Sequence, residues 1–236
     1  MDTLPLLDSR TELRVNGRGD PTASRPTPIA ASPEAPTIAD PAPLGLAALS
    51  LPLFALSWIN IGQAKATVLP VVLTTILLYG GIGQFVVAMW EVRRGNTFGV
   101  AAFGTFGLFN VSVWYFFTHA LGTIPPADRP SALALFLALW AVPAFILWVA
   151  SLRTTLVVSL IFGLATVLFV LAAWGNGNAD ATLIKLSGYV GIALAGVAWY
   201  GCLSALTTET FGRVLFPNPS LEKRSGAAAA TRGGRD

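Results

Sequence analysis

The residues that could do chemistry in this chain are few, and their scarcity is the first clue. There is one histidine and one cysteine, His119 and Cys202. Together they cannot assemble a metal cluster, and no nucleophile–base pair is visible. Cys202 sits inside an apolar block with no partner for a disulfide, and reads as a small packing residue. Glu91, His119 and Asp40 stand at the ends of apolar blocks, and no Asp, Glu, Lys or Arg stands near the middle of one. Proton relays and ion pumps usually place costly carboxylates there. What remains is a scatter of amides and hydroxyls: Asn60, Thr74, Thr75, Gln84, Thr105, Asn110, Ser112 and Thr166. Such groups can line a narrow path for a small polar solute. They serve equally well as hydrogen bonds between helices in a membrane.

Two local patterns are sharper. Leu78-Tyr79-Gly80-Gly81-Ile82-Gly83-Gln84 puts three glycines in four residues. That weakens a helix, and either lets a neighbouring backbone come close or leaves carbonyls open to a pore. Gln84 lies one turn beyond Gly80 on the same face. The second pattern, Asp40-Pro41-Ala42-Pro43-Leu44-Gly45-Leu46, opens the first apolar block. Asp40 can cap a helix there and Pro41 fits the first helical position. Free amides at such an end favour an anion, although the charge of Asp40 competes for the place.

The elements that must position these groups follow from composition. Hydrophobic residues make up 54% of the 236 residues and charged ones only 11%. A soluble domain carries about a quarter charged residues, so most of this surface faces lipid. Six apolar blocks run approximately Leu44–Ile61, Val68–Trp90, Val100–Ala120, Ala132–Leu152, Leu156–Trp174 and Ile184–Leu206. Each is near the roughly 20 residues that span a bilayer as a helix. None shows the alternation a β-barrel strand needs. The fold class is therefore an all-α membrane protein with six transmembrane helices. The tight break at Arg153 pairs the fourth and fifth spans antiparallel. No convincing repeat relates the two halves.

The chain divides into a disordered N-terminal tail, 1–39, a six-helix domain, 40–217, and a disordered C-terminal tail, 218–236. It opens with no apolar run long enough for a signal peptide. An even span count puts both termini on one side. Of the 15 basic residues only Lys65, Arg129 and Lys185 fall on the other side. The positive-inside rule then makes both termini cytoplasmic, in a multi-pass protein of the plasma (inner) membrane. The net charge of +3 is small, and every basic residue except Lys185, at the start of the sixth block, lies outside the apolar blocks, which suits membrane orientation rather than nucleic acid. Neither an enzyme nor a cofactor is expected.

Asp40–Leu46 resembles the Asn-Pro-Ala-Pro-Leu-Gly-Leu signature of the acetate uptake transporter (AceTr) family, the acetate and succinate–acetate permeases. The similarity continues through Tyr79-Gly80-Gly81-Ile82-Gly83-Gln84, Trp90-Glu91, Gly95-Asn96-Thr97-Phe98-Gly99, Phe103-Gly104-Thr105-Phe106-Gly107-Leu108-Phe109 and Phe211-Gly212-Arg213. It covers about residues 38 to 217. The resemblance implies six helices, a homo-hexamer with a pore in each protomer, and transport of acetate, in some members succinate, linked to protons. It also implies a constriction at Leu49, Phe106 and Ala165, where the family typically has Phe, Tyr and Leu. Smaller or less polar groups there widen the constriction or alter selectivity. Asp40 replaces the signature Asn, and Asn110 stands where the family usually has Trp.

On this reading Asn60, Gln84, Thr105 and Asn110 offer donors along the path. A neutral acid crosses the dry constriction more cheaply than an anion, because desolvating charge is expensive. Flux then looks proton-coupled without a carboxylate relay in the protein. A channel for urea or ammonia is the alternative, since fold does not fix function. A non-transporting scaffold whose basic tails bind a partner or anionic lipid is a third reading, weakened by the spread of those charges.

Overall fold

The computed structural model describes residues 38–221, and both expected tails lie largely outside them. Six helices in this region are long and apolar enough to cross a membrane. We label them α1 (Ala42–Asn60), α2 (Ala66–Arg94), α3 (Thr97–Thr123), α4 (Arg129–Ser151), α5 (Leu156–Gly177) and α6 (Ala181–Phe211). Each expected block lies almost wholly within one of them, and every helix runs beyond its block at one end or both. The extra turns carry polar residues that apolarity alone cannot place, such as Glu91 to Arg94 on α2 and Thr207 to Thr210 on α6.

Local chemistry sets the ends. α2 stops at Gly95, whose φ of +69° is the left-handed conformation that suits glycine. Asn96 then caps α3, its Oδ1 accepting from Gly99 N at 3.1 Å. Asp180 caps α6 by accepting from the amides of Thr182 and Leu183, at 2.8 and 3.2 Å. At the start of α1, Asp40 Oδ1 accepts from Ala42 N at 3.1 Å, and Pro41 stands just outside the helix. Asp40 also bonds Arg94, so this helix end is already occupied by the protein's own anion.

Interruptions shape the interior. Pro52 inside α1 has no N–H for the preceding turn. Residues Ile76–Gly83 of α2 and Phe116–Ala120 of α3 wind as wide π turns, a form common where a helix carries function.

The most extensive helix contact joins α4 and α5, the pair linked by the tight turn at Arg153. Nearly as extensive is α2 with α3, followed by α1 with α6 and α5 with α6. α1 and α6 approach closely because Gly188 and Gly191 face α1; a side chain at Gly191 would collide with Ser57 Oγ. A core of Phe106, Ile161, Phe162, Ala165, Phe169 and Leu194 fills the centre. A second cluster of Val72, Leu73, Ile76 and Val113 lies between α2 and α3. α4 is the least buried span, and Leu135, Leu139, Val142, Phe145, Ile146 and Val149 face outward as a lipid-facing helix must.

The last described residues strap the end of the bundle where the chain enters and leaves. Ser204 Oγ donates to Phe216 O at 2.7 Å and Tyr200 OH to Pro217 O at 2.8 Å. Asn218 Oδ1 accepts from Val157 N at 3.3 Å, and Leu221 N donates to Thr154 O at 2.8 Å. Residues 218–221, expected in the C-terminal tail, are thus hydrogen-bonded to the α4–α5 turn.

Candidate transport pathway

Among the described residues, a pair of neighbouring cavities lies inside the bundle. The larger, about 160 Å³, reaches toward the end of α1 and the start of α6, and its wall includes Asn60, Asn110, Asn176 and Ser187. We call it the distal cavity. The smaller, about 130 Å³, reaches toward the start of α1 and the α2–α3 turn, with Ala42, Gln84, Glu91 and Asn96 in its wall. We call it the proximal cavity. Two residues belong to both walls: Leu49 of α1 and Phe106 of α3. The cavities therefore meet at an apolar junction made by these two side chains.

Packing holds the junction in place. Phe106 is buried and its ring lies 5.8 Å from that of Phe162 and 6.3 Å from that of Phe169. Phe109, one turn on, meets Phe169 edge-on at 5.0 Å and so fixes the distal wall. Leu49 is only partly buried and packs against the central core. Ala165, 2% exposed, lines the distal cavity alone and takes part in the core rather than in the junction.

A polar seam runs beside the apolar junction. Gln84, 1% exposed, lines the proximal cavity; Asn110 lines the distal one. Asn110 Nδ2 donates to Gln84 Oε1 at 3.2 Å, to Phe106 O at 2.9 Å and to Gly80 O at 3.4 Å. Gln84 Nε2 donates to Gly45 O at 3.3 Å. The two amides thus tie α1, α2 and α3 together and connect one cavity wall to the other. The glycines make this possible. A Cβ at Gly80 would lie 2.9 Å from Asn110 Cγ, and one at Gly45 would run into the ring of Phe103. The glycine run in α2 therefore serves close packing, with the Gly80 carbonyl taken by Asn110 rather than open to a pore.

The other expected pathway groups separate cleanly. Asn60 lines the distal cavity. Thr105 lines neither cavity, because it points one position away from Phe106 on the turn of α3. Thr74, Thr75, Ser112 and Thr166 also line neither, and each hydroxyl donates to a carbonyl of its own helix, at 2.6 to 2.8 Å. Ser57, Asn176 and Ser187 line the distal cavity and were not singled out from the sequence. Asn176 was hidden in the polar Gly175–Leu183 break, where an amide reads as a loop residue; α5 runs far enough to include it.

Glu91 is the larger surprise. Its place at the end of an apolar block leaves its burial open. It is 0% exposed and lines the proximal cavity. Its Oε2 accepts from Asn96 Nδ2 at 2.9 Å and lies 3.6 Å from Arg94 Nη1, while Oε1 has no hydrogen-bond partner. The signature Gly95-Asn96-Thr97-Phe98-Gly99 builds its seat. Gly95 turns the chain, Asn96 holds the carboxylate, and a Cβ at Gly99 would lie 2.8 Å from Glu91 Cδ. Phe98 closes the side, edge-on to Phe162 at 5.6 Å. The signature at the start of α1 serves the same cavity: Ala42 lines it, Pro43 and Gly45 are buried, and Leu44 faces outward.

Known proteins resemble this chain. The chain is 30% identical over 180 residues to the succinate-acetate/proton symporter SatP of Escherichia coli strain K12, covering 76% of this chain and 95% of that one. It is likewise 30% identical over 193 residues to ammonia transport outward protein 2 of Saccharomyces cerevisiae, covering 78% of this chain and 68% of the yeast protein. Among solved structures, that of the bacterial acetate channel SatP superposes with a TM-score of 0.73 at 30% identity, over 78% of this chain and 100% of the other. The model of the GPR1/FUN34/yaaH family matches residues 23–222. With its six apolar helices and the motifs that enclose two stacked cavities, this chain belongs to the GPR1/FUN34/yaaH family, the acetate transporter family its signatures resemble.

Proposed function

We propose that this protein carries acetate and related small carboxylates, succinate among them, across a membrane, with a proton accompanying each carboxylate. The path runs within a single chain, from the proximal cavity through the Leu49–Phe106 junction to the distal cavity. One observation carries this reading: two internal cavities share just these two apolar side chains. A solute crossing there meets a short dry barrier. Taking a bare carboxylate into such a medium costs tens of kcal/mol by ion solvation, and a neutral acid only several, roughly. The barrier thus favours the acid over the anion. Asn60 and Asn110 in the distal cavity and Gln84 in the proximal one supply hydrogen bonds on either side. The names of the bacterial relatives, a succinate-acetate/proton symporter and an acetate channel, support the substrate class.

The same reading places the protein in the plasma (inner) membrane as a homo-hexamer with cytoplasmic termini. The proximal cavity then opens to the cytoplasm and the distal cavity to the outside. The distribution of basic residues supports that orientation. The reading includes no catalytic step. No group of three His, Cys, Asp or Glu suited to a metal occurs among the described residues.

Passage of ammonia is the second reading. Its support is the yeast relative named for ammonia transport, together with a junction whose side chains are wholly apolar. Competition separates the two. In vesicles holding the purified full chain at equal pH inside and out, excess unlabelled propionate or succinate should suppress labelled acetate uptake, while methylammonium and urea should not. Uptake of methylammonium without any of acetate would reject the carboxylate reading.

A further inference from the structure

We propose that Glu91 is the proton-exchanging group of this transporter: a small carboxylate in the proximal cavity takes its proton from Glu91 and crosses the Leu49–Phe106 junction as the neutral acid. This inference rests on the carboxylate reading above and names the group that links substrate to proton.

The seat of Glu91 is the starting point. Its carboxyl is fully buried, with Oε1 unpartnered, at the wall of a cavity that leads to the junction. A carboxylate at the end of a transmembrane helix ordinarily turns to water. Here three residues of one turn hold it inside: Gly95 by its left-handed φ, Asn96 by its amide, and Gly99 by having no side chain. Buried side-chain oxygens mostly pair with another group of the protein or with water. Oε1 pairs with no group of the protein, which leaves it to a solute or water in the cavity.

The charged surroundings are sparse on every side. Among the residues lining the proximal cavity Glu91 alone is ionisable. α1 contributes Ala42, Leu46 and Leu49; α3 contributes Phe98, Gly99, Ala102, Phe103 and Phe106; α5 contributes Val158, Ile161 and Phe162. The nearest cation is Arg94, one turn along α2, and Asp40, just before α1, bonds the same Nη1. Arg93 points elsewhere, over the ring of Trp90 at 5.6 Å. An arriving carboxylate therefore meets one carboxyl, one shared guanidinium and apolar walls.

In the proposed step a single proton passes between the carboxyl of Glu91 and that of the arriving substrate, which would otherwise face each other as like charges. The exchange balances simply. The O–H bond of protonated Glu91 breaks as an O–H bond forms on the substrate oxygen, leaving ionised Glu91 and a neutral acid. The acid crosses, and Glu91 takes its next proton from water at the proximal mouth. One proton moves with each carboxylate. In the reverse direction the entering acid hands its proton to Glu91 before the anion leaves.

The test uses vesicles holding the full chain and the ratio of acetate uptake with and without an imposed pH gradient, acidic on the side of entry. The wild type should give a ratio of several-fold. Glu91→Gln keeps the shape and loses the proton, so its ratio should fall to about one; Glu91→Asp keeps a carboxyl and should stay clearly above one. A Gln variant with the wild-type ratio overturns the proposal. So does a pair in which Asp and Gln variants are equally inactive while both remain folded. A second measurement uses the wild type alone, so it does not depend on how the variants fold. An apolar carbodiimide, which reacts with protonated carboxyls, should label Glu91 by mass spectrometry, and excess acetate should suppress the label. Absence of label at Glu91 also overturns it. A wild type that moves no acetate at all would instead reject the carboxylate reading.

Discussion

Leu49 offers the sharpest handle on selectivity. It lies one turn beyond Gly45, and it is shared with Phe106 by both cavity walls. Leu49→Ala removes three carbons from the junction. Burial is worth about 0.8 kcal/mol per methylene, so a fully buried leucine would lose about 2.4 kcal/mol of transfer energy. Leu49 is only half-buried between two cavities, and about 1 kcal/mol of stability is the expected cost. The effect on selectivity is larger. Butyrate carries two more methylenes than acetate, and the space left by the leucine lets both rest on apolar wall. At about 0.8 kcal/mol each, the transfer rate of butyrate relative to acetate should rise roughly tenfold or somewhat more. Leu49→Phe works in the opposite direction, placing a ring against Phe106 and slowing larger acids before acetate. The assay is a pair of labelled acids measured in the same vesicle preparation, so that protein amount and folding cancel in the ratio. An unchanged butyrate-to-acetate ratio in Leu49→Ala, or equal slowing of acetate and succinate in Leu49→Phe, would show that the constriction lies elsewhere.

Three further outcomes are expected. Asn110→Leu leaves Gln84 Oε1 without its donor, which should cost about 1–3 kcal/mol and lower the melting temperature, while slowing acetate at the junction. Gly191→Ala drives a methyl into Ser57 Oγ and should lower the melting temperature on its own; adding Ser57→Ala removes the clashing oxygen and should restore most of the loss. Asp40→Asn restores the signature amide and frees Arg94 from its exposed ion pair; stability should change by less than about 1 kcal/mol, while apparent acetate affinity rises at low salt and the gain disappears at high salt.

How much of this could be read from the chain depends on range. The six spans were legible because each needs only its own apolar residues, and α1 to α6 contain them. Helix ends were less so, since Asn96 and Asp180 cap by local hydrogen bonds that do not alter hydropathy. Leu49, Phe106 and Ala165 enter as a constriction through resemblance alone; the first two line both cavities and Ala165 lines the distal one. Hydroxyls misled because a threonine in a helix can satisfy itself, as Thr166 does with Phe162 O. Glu91 was visible as a residue but not as a buried one. Its burial depends on Asn96 and Gly99 folding back from the next helix, a tertiary fact that a scan for mid-span charges passes over. The expectation of proton linkage without a protein carboxylate gives way, in our proposal, to one that uses this residue.

The central claim is that a carboxylate and a proton cross together through the inside of one chain. The most direct measurement is labelled acetate uptake into vesicles holding the purified protein, at several pH gradients and with the membrane potential clamped at zero and at an imposed value. Uptake that rises with the pH gradient, is competed by unlabelled acetate and does not respond to the potential is the expected result, because the species crossing is a neutral acid. Uptake driven by the potential and indifferent to the pH gradient would mean that the bare anion crosses, and would contradict the account.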